Sequence, residues 1–215
     1  MSSIIETLEV VMGVTKQQAA ANRQAIIDAA AKLFRERGVD AVGLNELMEA
    51  AGFTRGGFYN HFRSKDALVG AVMAQALEAG SENVAKVVAT SHAKQADPLQ
   101  RLVDWYLSPD HRRNLVGGCP LSGFAGDVRR LDPHSREAYA LGLQATLHQY
   151  AGLIGDPKAD RKAVRRESIA FFSEMVGALV LSRAVAEADP ALADEILGSV
   201  RRHLHSQRAQ LLEPR

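Results

Sequence analysis

A glycine at position 52 separates two short apolar stretches, and the residues around it restrict the fold more than any other part of this chain. Glu46-Leu47-Met48-Glu49-Ala50-Ala51 is a run of strong helix formers. Gly52 ends it, because glycine takes the left-handed conformation at a helix C-terminus without a Cβ penalty. Thr54 follows where a hydroxyl can cap a second helix. In that helix Phe58 and Phe62, four apart, share the inward face. Arg55, Gly56, Tyr59, Asn60 and His61 are left toward the outside. No acid occurs between Glu49 and Asp66, so nothing on this element repels phosphate. Arginine and asparagine suit guanine and adenine edges in a major groove, and Gly56 and Gly57 permit close approach. The two glycines also weaken the helix, by about 1 kcal/mol each relative to alanine.

The surrounding segments extend the pattern. Residues 23–38 present Ile26, Ile27, Ala30, Leu33 and Phe34 on one face and stop at Gly38. Ser64-Lys65-Asp66-Ala67-Leu68 opens a further helix. Together, from about Asn22 to Met73, these pieces resemble the DNA-binding domain of the TetR family of one-component bacterial repressors. Residues 23–38 are similar to the family's first helix, Ala51-Gly52 to its turn and Tyr59-Asn60-His61-Phe62 to its recognition helix. The resemblance implies that Tyr59, His61 and Lys65 contact the DNA backbone; core filling is the alternative for Tyr59 and His61. Arg55 and Asn60 are candidate base readers, with phosphate as the alternative partner. One position departs from the family. A Thr or Ser that opens the second helix there is replaced by Val42-Gly43, and Asn45 is the candidate substitute contact. The DNA-binding set is thus Asn45, Thr54, Arg55, Gly56, Gly57, Tyr59, Asn60, His61 and Lys65.

Bulk composition adds little. The net charge is +1 over 215 residues, so overall charge does not announce nucleic acid. Residues 16–66 carry 8 Lys and Arg against 6 Asp and Glu, and the excess matters only because Arg55, Arg63 and Lys65 cluster on one element. The single cysteine, Cys119, excludes an intramolecular disulfide and a cysteine-based zinc site, and fits a reducing cytoplasm. No uninterrupted apolar run reaches the length of a membrane span, and the first residues lack a signal-peptide layout. The histidines form no metal-binding pattern, and no phosphate loop, nucleophile elbow or metalloprotease motif occurs. No cofactor is expected.

Apolar positions recur at three and four throughout, so the whole chain reads as helical. Helix starts fall at Asp97-Pro98, Gly117-Gly118-Cys119-Pro120, Asp132-Pro133 and Asp189-Pro190, and residues 161–187 form the longest pattern. About nine or ten helices are expected. The expected architecture is all-α: an N-terminal three-helix helix-turn-helix domain over 15–65 and a C-terminal helical ligand-binding and dimerisation domain over 66–215. Residues 1–14 are an arm or a non-native start, with Met12 as the alternative first residue. Trp105, Tyr106, Cys119, Phe124, Tyr139, His148, Phe171 and Phe172 are candidate ligand contacts, plain core being the alternative. Cys119 is also a candidate sensor of oxidants or electrophiles, through a helix N-terminus and the nearby Arg112 and Arg113. Met175, Val176 and Leu179 are candidates for the homodimer interface that the resemblance implies. The expected activity is that of a repressor that binds a near-palindromic double-stranded DNA site as a dimer and is released by an unidentified small-molecule inducer. An architectural DNA-binding protein without an inducer and an all-helical enzyme are the rival readings.

Overall fold

The computed structural model describes residues 2–155 and 160–212, with side chains from 16 to 207. Nine α-helices and two 3₁₀ segments, and no strand, occur among the described residues. The helices are α1 (Ser2–Arg37), α2 (Leu44–Ala50), α3 (Lys65–Ala93), α4 (Pro98–Tyr106), α5 (Pro109–Arg113), α6 (Pro120–Gly123), α7 (Pro133–Ile154), α8 (Arg161–Val185) and α9 (Pro190–Leu212). The 3₁₀ segments are Arg55–Asn60 and Val128–Arg130. The first helix is longer than expected: it runs unbroken from Ser2, so residues 2–14 continue α1 instead of forming a loose arm. Their side chains lie outside the described residues.

Four of these helices begin where a short polar side chain meets proline. Asp97 accepts the Leu99 amide (2.9 Å), Asp132 those of His134 and Ser135 (2.9 and 3.2 Å), and Asp189 that of Leu192 (3.0 Å). Each satisfies amides that the first helical turn leaves free, and the following proline has no amide to satisfy. Ser108-Pro109 both breaks α4 and starts the five-residue α5, with Ser108 accepting the His111 amide at 3.1 Å.

Two cores result. The head core joins Ile26, Ile27, Ala30 and Phe34 of α1, Leu47 and Met48 of α2, Phe58 and Phe62, and α3 from Leu68 to Ala76. Phe124, expected at a ligand cavity, is buried in this core instead. The body core joins α4, α7, α8 and α9 through Leu102, Tyr106, Tyr150, Phe171, Phe172, Met175, Leu179 and Leu197. The cores therefore do not divide at residue 65, because α3 serves both. α8 is long and apolar enough to cross a membrane by length and composition. Its Phe171, Phe172, Met175 and Leu179 are buried against α4, α7 and α9, and that packing accounts for its apolar character.

Candidate nucleic-acid interface and ligand cleft

The turn after α2 forms as its sequence dictates. Gly52 has φ +81°; its amide reaches the Glu49 carbonyl at 3.0 Å and the Phe53 amide reaches that of Met48 at 2.8 Å. These two bonds are the Schellman pair that closes a helix, and only glycine takes that φ without strain. Gly38, at φ +83°, ends α1 in a similar way.

Beyond the turn the recognition element differs from the expected α-helix. Residues Arg55–Asn60 wind as a 3₁₀ segment. The adjacent Gly56 and Gly57 account for this, since each disfavours the α-helix through its backbone freedom. Thr54 begins the segment, but its hydroxyl makes no capping bond; the Gly57 amide bonds the Thr54 carbonyl at 3.0 Å instead. Gly43 likewise opens α2 with no side-chain cap.

Phe58 is the anchor: it is fully buried, stacks on Phe62 at 5.8 Å and meets the Tyr59 ring edge-on at 5.3 Å. Held that way, Tyr59 is 64% exposed. Asn45, Thr54, Arg55, Gly56 and Asn60 are also exposed, while Gly57 and His61 are half-buried. A Cβ on Gly56 would meet nothing within 4 Å, and one on Gly57 only the Met48 methyl at 3.8 Å. The outer face therefore carries a guanidinium, a phenol, an amide and a hydroxyl with no carboxylate among them. Arg63 is exposed beside it, and Arg23 lies over the Phe62 ring at 4.7 Å. Arg23 adds a cation from α1 that the motif alone did not suggest.

Lys65 is a correction. Its ammonium turns inward, donating to the carbonyls of Val39 and Val42 at 2.6 and 2.7 Å and lying 5.8 Å from the Phe34 ring centre. It ties the α1–α2 connection to the start of α3, so two of its donors are already engaged within the protein. Ser64 caps α3 by accepting the Ala67 amide at 3.1 Å.

The body contains a cleft of about 410 Å³, counted out to the open solvent, between α3, α4, α6, α7 and α8. Of the candidate ligand contacts, Trp105, Tyr106, Cys119 and Phe172 line it. Phe171 packs on Tyr150 at 6.3 Å behind it, Tyr139 donates to the Leu121 carbonyl at 2.6 Å, and His148 is exposed. Tyr150 and α3's Leu77, Gly80 and Val84 also line the cleft. Tyr150 follows Tyr139, Leu143 and Leu147 on one helical face, a spacing that could have revealed it; nothing in the local sequence marks the α3 residues.

Cys119 precedes a helix of only four residues, which supplies little of the macrodipole expected of a longer one. The arginines expected near it are engaged elsewhere: Arg112 with Asp194 at 2.7 Å and Arg113 with Asp110. What holds the Cys119 backbone is His111. The Cys119 amide donates to His111 Nε2 at 3.0 Å, and Nδ1, 2.7 Å from the Tyr106 carbonyl, must therefore carry the proton. Burial, and then the Arg183 charge, push this histidine down to about 4, against the bond to Tyr106. Arg183 braces the same region, donating to the carbonyls of Arg112 (3.1 Å) and His111 (3.0 Å) and to the Ser122 hydroxyl (3.1 Å). Burial lowers its pKa too.

Met175 and Leu179, expected at a dimer interface, are fully buried within this chain's own core, and Val176 is half-buried. The opposite face of α8 carries Ile169, Val180 and Leu181, which are 44%, 39% and 59% exposed. Over Gly177 a Cβ would meet nothing within 4 Å.

The profile of the family described as "Bacterial regulatory proteins, tetR family" matches residues 26–72. The HTH-type transcriptional regulator AcrR of Shigella flexneri is 38% identical over 89 residues, 41% of this chain and 40% of that protein. The HTH-type transcriptional regulator TtgR of Pseudomonas putida is 38% identical over 85 residues, 40% of this chain and 39% of that protein. The chain thus spans about two fifths of the length of these curated relatives. A solved TetR transcriptional regulator from Chloroflexus aurantiacus matches with a TM-score of 0.74 at 25% identity, covering 90% of this chain and 97% of that one.

Proposed function

The chain belongs to the TetR family of bacterial transcriptional regulators, and on that premise we propose that it is a cytoplasmic, dimeric repressor released from its operator by a small molecule. The observation that carries the reading is the outer face of the recognition segment. Arg55, Tyr59 and Asn60 stand exposed over the fully buried Phe58 with no acid beside them. Arg55 and Asn60 read base edges; Thr54, Tyr59 and His61 hold the backbone. Two such segments, about 34–36 Å apart in a two-fold dimer, fit successive major grooves of a near-palindromic site.

For the dimer, the support is the exposed apolar stripe of α8, Ile169, Val180 and Leu181, with Gly177 and Ser173 permitting close helix approach. Leu192 of α9 is a further exposed apolar side chain, at 40%. For release, the support is α6. Cys119, Pro120 and Leu121 wall the cleft, and Phe124, three residues after Leu121, is buried in the head core. Arg35 of α1 donates to the Leu115 carbonyl at 3.3 Å, and Arg130 pairs with Asp40 at 2.6 Å. A molecule that shifts α6 and the segments on either side of it bears on α1 and the α1–α2 connection through these contacts, and it releases DNA to the extent that it binds the two arrangements differently.

The test is selection of genomic fragments by the purified protein, followed by footprinting of the enriched sequence. Enrichment of a near-palindrome that a small molecule abolishes supports the reading. Absence of an enriched sequence overturns it, and an enriched site that no compound affects leaves an architectural protein.

A further inference from the structure

We infer that the cleft takes a neutral, flat, largely aromatic molecule with a hydrogen-bond-accepting oxygen, gripped by the phenols of Tyr106 and Tyr150. This rests on the ligand-responsive reading above and gives the chemical class of the ligand. Tyr106 is 2% exposed and Tyr150 fully buried, and both line the cleft. Neither hydroxyl has an oxygen or nitrogen partner among the described residues; the Cys119 thiol beside Tyr106 is only a weak acceptor. Buried hydroxyls are normally satisfied. Two left short of a partner in the wall of one cleft mark a place where an acceptor oxygen would gain donors. Burial, with a smaller effect of Cys119, raises both phenols well above their usual range, so they remain protonated donors.

The walls exclude charge. Leu77, Val84, Trp105 and Phe172 are apolar, and among the described residues no Asp, Glu, Lys, Arg or His lines the cleft. A cation would lose its hydration there with no opposite charge to pair it, and a carboxylate would meet only neutral donors. The walls also favour a flat shape. Four of the lining side chains, Trp105, Tyr106, Tyr150 and Phe172, carry flat aromatic rings. The α3 and α6 walls are close, so a bicyclic ligand must part them. Trp105, half-buried at the mouth, is a wall with room to move. A Cβ on Gly80 would come within 2.9 Å of the Pro120 ring, so α3 and α6 already touch, and a ligand that spreads them displaces α6.

The experiment is calorimetric titration of the full chain with three probes of one shape: 1-indanone, indane and 1-aminoindane. The ketone is expected to bind about tenfold more tightly than the hydrocarbon, and the ammonium least. The double variant Tyr106→Phe, Tyr150→Phe should lose the ketone's advantage while holding indane as before; phenylalanine keeps the packing, so the variant is expected to melt no lower than wild type. Equal binding of ketone and hydrocarbon, an advantage that survives loss of both hydroxyls, preference for the amine, or no binding of any probe each overturns the ligand class. Operator release is scored separately against a broad compound set. Release by a charged compound alone would sink this ligand class and leave the repressor reading standing. A protein that no compound detaches from its operator loses the repressor reading even if indanone binds.

Discussion

At the scale of single residues, orientation separates roles that sequence position alone merges. Arg55 and Asn60 point away from the head core, so Arg55→Ala and Asn60→Ala should relax base preference by about 1–3 kcal/mol at particular operator positions. Titrations across operator variants measure it, and a uniform loss over all sequences would reassign both residues to phosphate. Lys65 belongs to the other group. Lys65→Met keeps the packing over Phe34 but removes the donor to the Val39 and Val42 carbonyls. It should lower stability by about 1–3 kcal/mol and leave the salt dependence of DNA binding unchanged. A salt slope reduced by about one unit would return Lys65 to the phosphate contacts. His111 supplies a pH dependence. Its pKa falls from the ordinary 6.5 to about 4 on folding, so between those values the unfolded chain binds more protons. The stability it contributes is complete above pH 6.5 and is lost as pH falls through about 4, on the order of 3 kcal/mol. Unfolding midpoints of wild type and His111→Phe over that interval test it: the wild-type curve should fall more steeply toward acid.

At the scale of elements, what could be read from the sequence was what is determined locally. Gly38 and Gly52 ended their helices, and Asp97, Asp132 and Asp189 began theirs, because a cap needs only neighbours within a few residues. The 3₁₀ winding of Arg55–Asn60 follows from Gly56-Gly57, but the pair alone signals only a weakened helix and does not name the winding that replaces it. Contacts distant in sequence left no local trace. The Lys65 partners lie 23 and 26 residues away, Phe124 crosses from the body to the head core, and α3 supplies cleft residues with no distinguishing pattern. The α8 pattern announced an apolar helix, but periodicity does not say which of two apolar faces meets the chain's own core. Arg183 shows how much one long-range contact can organise. It joins α8 to α5, to α6 and to the backbone between them. Arg183→Met keeps the stem and leaves those carbonyls short of a donor, so a loss of about 2–4 kcal/mol is expected from thermal or denaturant unfolding. A loss under about 0.5 kcal/mol would mean that solvent replaces the guanidinium.

At the scale of the whole molecule, the two faces of α8 make opposite predictions. Val180→Asp, on the exposed face, should leave the fold intact and convert a dimer into monomers. Met175→Asp, at a fully buried position, should unfold the body, because an unpaired buried charge costs several kcal/mol. Light scattering with circular dichroism separates the two, and a wild-type protein that is monomeric at micromolar concentration would remove the dimer. α3 gives the molecule a further property. From Val84 at the cleft to Lys65 at the head is 19 residues of one unbroken helix, a rod of about 28 Å. Pivoted at the cleft, a tilt of about 5° would sweep its far end through about 2.5 Å, given that length. The rod also has a phase. One residue inserted between the head core and the cleft would turn the head by about 100° relative to the body, whereas seven would nearly restore the alignment. Recombining heads and bodies from different regulators of this shape should therefore succeed only where the junction preserves the helical angle of α3.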